Sequence, residues 1–102
     1  MTRNRMRPIH PGEILRDEYL VPLDMSANAL APALGVPTNR ITAIVNGDRA
    51  VTADTALRLA KYFDTTPEFW LNLQLRYDLR VAEEARETKD ALRAIRPLKH
   101  AS

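Results

Sequence analysis

The chain has 102 residues, no cysteine, 45% hydrophobic and 27% charged residues, and a formal net charge of +2. That length builds one domain around one core, and the missing cysteine excludes a disulfide framework and thiolate chemistry. The net charge is too small for unpatterned attraction to nucleic acid, so any DNA-binding surface must come from where the charges lie.

The N-terminal arm, residues 1–7, holds Arg3, Arg5 and Arg7 and no acid. It reads as a solvated tail, with a basic arm reaching phosphate or a minor groove as the alternative. The arginines are not followed by the apolar segment of a signal peptide. No apolar run approaches the roughly 18 residues of a membrane span, so a cytoplasmic protein is expected.

His10-Pro11-Gly12-Glu13 opens the first helix. Pro11 fits the first helical position, and Glu13 meets the positive end of the helix dipole. Ile14, Leu15, Tyr19 and Leu20 give the apolar face, and Pro22 ends the helix. His10 has no second histidine or cysteine nearby. It reads as a helix-start residue rather than a metal ligand.

The stretch from Ser26 to Gly47 reads as two short helices joined by a tight turn. Ser26 caps the first, and Leu30, Ala31 and Leu34 form its apolar face. Pro32 is out of place inside that helix, because it removes a backbone hydrogen bond. Gly35 supplies the left-handed turn, Val36 plugs it, and Pro37 suits the first position of the next helix. Ile41, Ile44 and Val45 make the second stripe, and Asn46-Gly47 closes it. Helix, glycine turn, helix is the helix-turn-helix pattern, whose second helix lies in a DNA major groove. Between Asp24 and Asp48 the only charged residue is Arg40. A surface that approaches phosphates cannot carry many carboxylates.

If the pattern binds DNA, Thr38 and Asn39 at the start of the second helix face base edges, with Ala43 one turn further on. Asn39 suits adenine, and the Thr38 and Ala43 methyls suit a thymine methyl. Ser26 and Asn28, with the helix N-terminus between them, suit phosphate, as do Arg40 and Arg49. Pro37 and Asn46, at the two ends of the second helix, complete the expected DNA-facing set.

Thr52 caps a fourth helix with Asp54 in its first turn; Ala56, Leu59, Ala60 and Phe63 form its core stripe, and Asp64-Thr65 breaks it. Thr66-Pro67-Glu68 starts the fifth helix, with cap, proline and acid in order. That helix carries two apolar stripes, Phe69, Leu73, Tyr77 and Leu71, Leu75, Leu79, Ala82, with Trp70 between them. A helix in a monomer of this size buries one stripe. The second stripe points to a partner copy held through Trp70, Leu71, Leu75 and Leu79; a core wrapped around both sides is the alternative. Beyond Glu83 the charges read as a solvated face.

Catalytic chemistry has no foothold. There are two histidines at opposite ends of the chain, no nucleophile elbow, no glycine-rich phosphate loop among the three glycines, and no metal-ligand spacing. No enzyme, metal or cofactor is expected. The expected fold is all-α: about five helices, since no period-2 run occurs.

These pieces, in this order, resemble the XRE-type, lambda-repressor-like helix-turn-helix proteins, and more narrowly the HigA-like antitoxins of bacterial toxin-antitoxin modules. The resemblance rests on His10-Pro11-Gly12-Glu13-Ile14-Leu15, Leu30-Ala31, Leu34-Gly35-Val36-Pro37, Arg40-Ile41 and Ile44-Val45-Asn46-Gly47. It continues in Arg49, Thr52 to Ala60, and Phe69-Trp70-Leu71-Asn72-Leu73-Gln74, and so covers residues 8–82. Pro32 departs from it. The resemblance implies a homodimer on palindromic double-stranded operator DNA upstream of its own operon. It also implies a partner toxin, a ribosome-dependent mRNA endonuclease of the HigB type. A stand-alone XRE repressor and a helical protein-interaction module are the alternatives. The expected unit is one domain over residues 1–94, with the motif at 26–47, a dimerisation helix at about 67–94 and a flexible tail at 95–102.

Overall fold

In the computed structural model, which describes residues 7–99, four of the six α-helices start at a side chain that accepts a backbone N–H group. Arg3 and Arg5 of the basic arm, and residues 100–102 of the expected tail, lie outside the described residues. The described residues form six α-helices and no strand: α1 (Pro11–Ile14), α2 (Ala27–Leu34), α3 (Thr38–Val45), α4 (Ala53–Phe63), α5 (Pro67–Glu84) and α6 (Arg86–Ala94). Ser26, Thr52 and Thr66 cap α2, α4 and α5, each accepting from a backbone N–H three residues on.

The first helix differs from the expected regular one. After α1 it continues as a π-helical run, Leu15–Leu20. Hydrogen bonds that span five residues, such as Val21 N–H to the Arg16 carbonyl at 2.8 Å, bring residues five apart to one side. Leu15 and Leu20 are thereby both buried. Tyr19 packs beside them on Phe63, 4.8 Å between ring centroids.

Pro32 sits inside α2 without breaking it. Asn28 and Pro32 are both exposed, so the Asn28 carbonyl, which has lost its donor, stands at the wet side of the helix. Pro37 precedes α3 as its cap residue rather than occupying the first helical position.

The core is one cluster. Leu15, Leu30, Ile41, Ile44, Leu59 and Trp70 are fully buried in it. Trp70 corrects the expected partner surface. It is 0% exposed and its indole N–H donates to Thr65 Oγ1 at 2.8 Å. Its ring lies against Tyr19 and Phe69. A side chain closed in by its own protomer has no surface left for a second one, so Trp70 is core. The buried line of α5 is Trp70 and Gln74, one turn apart, while Phe69, Leu73 and Tyr77 are only partly covered. Leu71 is half-buried against the core, and Leu75 and Leu79 are exposed.

The helix expected to run through residue 94 stops at Ala85, whose ψ of 131° is extended. No residue of α6 is buried. With α5 it draws the molecule out to 55 × 30 × 24 Å. No helix among the described residues is long and apolar enough to cross a membrane.

Candidate nucleic-acid interface

The turn between α2 and α3 closes through two backbone bonds. Val36 N–H donates to the Ala31 carbonyl at 3.0 Å and Gly35 N–H to the Pro32 carbonyl at 3.1 Å, with Gly35 at φ +72°. This reciprocal pair ends a helix and reverses the chain in minimal length. It requires left-handed geometry at one residue, which glycine adopts without strain. The end of α3 is built the same way. Asp48 N–H reaches the Ala43 carbonyl, Gly47 N–H reaches the Ile44 carbonyl, and Gly47 has φ +82°.

Between these turns α3 is divided cleanly. Ile41 and Ile44 are 0% exposed and fix the helix to the core. Thr38 and Asn39 are exposed at its N-terminal end, and Ala43 is half-buried. Val45, expected in the core, is half-buried and packs at its margin. Ser26 and Asn28 are exposed at the start of α2, and Pro37, Asn46 and Arg49 are exposed around α3. The Ser26 hydroxyl accepts from Ala29 N–H at 3.1 Å, which leaves its proton available to an acceptor outside.

Arg40 is less free than the sequence suggests. Asp54 Oδ2 accepts from Arg40 Nη1 at 2.9 Å and from Arg58 Nε at 3.0 Å. Arg58 in turn donates to the Leu34 carbonyl at 2.8 Å, so it holds the end of α2 from α4. Hydrogen bonding by Arg58, then by Arg40, holds the Asp54 carboxyl below its usual 3.8. The three side chains join α2, α3 and α4 across the motif, and any phosphate at Arg40 must share it with Asp54.

Three further residues, Gly12, His10 and Asp54, hold the helices of the motif together and escaped the sequence reading in that role. A Cβ at Gly12 would land on the Ile44 backbone carbonyl, so glycine lets α1 lie directly on the end of α3. Its place inside a helix, where glycine is unfavourable, was the available signal. His10, read only as a helix start, makes a full capping box. Its Nδ1 accepts from Gly12 N–H at 2.9 Å while Glu13 Oε2 accepts from His10 N–H at 3.4 Å. The ring is buried, lies edge-on to Tyr77 with centroids 4.8 Å apart, and faces the Arg49 backbone. Burial pushes its pKa below the ordinary 6.5. Asp54 was read only as an acid in the first turn of its helix, and nothing local marks its link to Arg40, fourteen positions away.

A short helix packed face-down by isoleucines, its polar end exposed beside an acid-free stretch, defines a helix-turn-helix DNA-binding domain. The family described as "Helix-turn-helix" matches residues 17–70. The chain is similar to an addiction-module antidote protein of the HigA family from Coxiella burnetii, with 58% identity, TM-score 0.84, and coverage of 91% of this chain and 100% of that one. It is similar to Pseudomonas aeruginosa antitoxin HigA, solved with the higBA promoter, with 49% identity, TM-score 0.86, and coverage of 91% and 100%. Antitoxin HigA-1 of Vibrio cholerae is 40% identical over 94 residues, 87% of this chain and 89% of the relative. The chain belongs to the XRE-type helix-turn-helix family and, within it, to the HigA-type antitoxins. That is a family of DNA-binding regulators, not of enzymes.

Proposed function

We propose that the protein is a DNA-binding antitoxin that represses its own operon: as a homodimer it places α3 in the major groove of each half of a palindromic operator, and it neutralises a HigB-type mRNA endonuclease toxin. The observation that carries the DNA half of this reading is the division of α3. Ile41 and Ile44 are shut into the core while Thr38 and Asn39 stand out from it. Thr38, Asn39 and Ala43 read base edges. Ser26, Asn28, Arg40 and Arg49 hold phosphates, with Pro37 and Asn46 bounding the contact. The solved structure of the Pseudomonas relative with the higBA promoter supports the DNA-binding part of this reading.

Dimerisation runs through Leu75 and Leu79, with Leu71 at the edge of the contact. Both leucines are more than half exposed on α5, and neighbouring apolar side chains left in water are stabilised by a partner. The protein works in the cytoplasm, where the operon lies.

The test is twofold. The purified protein is titrated onto DNA from upstream of its own operon and onto scrambled DNA of equal length; selective binding as a dimer is expected, and equal binding to both refutes the operator reading. The native operon is then expressed with a tag on this chain; a small toxin should co-purify, and its absence at parental expression refutes the antitoxin reading while leaving the repressor.

A further inference from the structure

The loop from α3 to α4 carries Arg49, and it is tied down from an unexpected direction. Val51 N–H donates to Gln74 Oε1 at 2.8 Å, across 23 positions of chain. Gln74 is buried, and its Nε2 donates to Asp78 Oδ1 at 2.9 Å. His10 faces the Arg49 backbone, and its ring rests on Tyr77. Both ties end on α5.

A buried amide is costly unless its polar atoms are matched. An apolar residue could be buried at this position without that cost. What only an amide supplies is an acceptor for Val51 and a donor for Asp78. Arg49 itself is exposed and borders the half-buried end of α3. A phosphate contact from a loop that must first be ordered loses affinity to that ordering.

We propose that Gln74 is a positioning residue for DNA binding: from α5 it fixes the backbone of the α3–α4 loop so that Arg49 meets the phosphate in one geometry. The inference rests on the phosphate role given to Arg49 above. It places the DNA contact under the control of the same helix that carries the exposed leucines.

The experiment compares operator affinity across a salt series for the full chain and five variants, Arg49→Ala, Gln74→Leu, the two combined, Asp78→Ala and the exchange Gln74→Glu/Asp78→Asn, with helicity checked for each. Arg49→Ala should lower the salt slope by about one unit. Gln74→Leu leaves the Val51 N–H unpaired and should lower the slope by the same unit, with little added when combined with Arg49→Ala. The exchange keeps the charge and both hydrogen bonds, so it should restore the parental slope. A merely structural role would lower the melting temperature and leave the slope of the folded fraction unchanged. Arg49→Ala at the parental slope removes the reading beneath this inference and the inference with it. A lowered slope for Arg49→Ala beside a parental slope for folded Gln74→Leu overturns this inference alone. If Gln74→Leu does not fold, the exposed Asp78→Ala, which frees the amide, decides in the same way: a parental slope overturns the proposal.

Discussion

Across α2, the turn and α3 the large apolar side chains turn inward: Leu30, Leu34, Val36, Ile41 and Ile44 are buried, and Val45 is half-buried at the margin. From the middle of α5 onward the pattern inverts. Leu75, Leu79, Val81, Leu92, Ile95 and Leu98 are between 44% and 80% exposed. The first region is complete by itself and offers water a polar face of threonine, asparagine and arginine. The second is incomplete and offers water leucine. A polar ligand suits the one, and an apolar partner suits the other. Trp70 stands near the border between the two regimes: beyond it no apolar side chain of α5 is fully buried.

The sharpest way to break that division is at its border. Trp70→Ala should destabilise the protein by about 3–5 kcal/mol, the range for removing a large buried aromatic. Urea unfolding of the variant checks this; a loss below about 1 kcal/mol would mean that α5 is not anchored through Trp70. Beyond the border the expectation reverses. Leu75→Glu/Leu79→Glu should leave a folded monomer, seen as halved mass in light scattering, with operator affinity down by a factor on the order of 100 as the second half-site contact is lost. A dimer of unchanged mass would show that the exposed leucines serve something else.

A smaller effect sharpens the first region. His10 is held neutral by burial, so its folded pKa lies below its ordinary 6.5. The unfolded chain then takes up a proton first as the medium acidifies. The stabilisation from neutral His10 is therefore complete above about pH 6.5 and declines as the pH falls toward the folded value. Glu13, held below its usual 4.5 chiefly by its hydrogen bond to Arg7, adds a separate loss only in more acid solution. Urea midpoints between pH 7.5 and 5 should fall for the parent and stay flatter for His10→Asn, which keeps a capping oxygen. Parallel curves would show that His10 is not the titrating group.

Much of this was legible because its causes are local. Ser26, Thr52 and Thr66 cap the helices they precede, and Gly35 and Gly47 take the left-handed positions their helix ends need. The stripes of α3 and α4 follow from spacing. What was not legible depends on contacts far apart in sequence. Trp70 fits either stripe of α5 by spacing alone, and only Tyr19, Phe63 and Phe69 together decide that it faces inward. Gln74 looks like a surface residue until Val51, 23 positions away, is beside it. The π-helical run at Leu15–Leu20 lets two leucines five apart share one face, and spacing rules built on the α-helix do not anticipate it. The break at Ala85 has no glycine, proline or capping side chain to announce it.

The claim that α3 reads bases is tested most directly by comparing Asn39→Ala and Arg40→Ala on operator and random DNA across a salt series. Asn39→Ala should cost about 1–3 kcal/mol on the operator, leave random DNA unaffected, and relax preference at one position per half-site. Arg40→Ala should weaken both DNAs alike and lower the salt slope by about one unit. If Asn39→Ala binds operator and random DNA as the parent does, α3 does not read bases and the DNA-binding assignment of this helix is wrong.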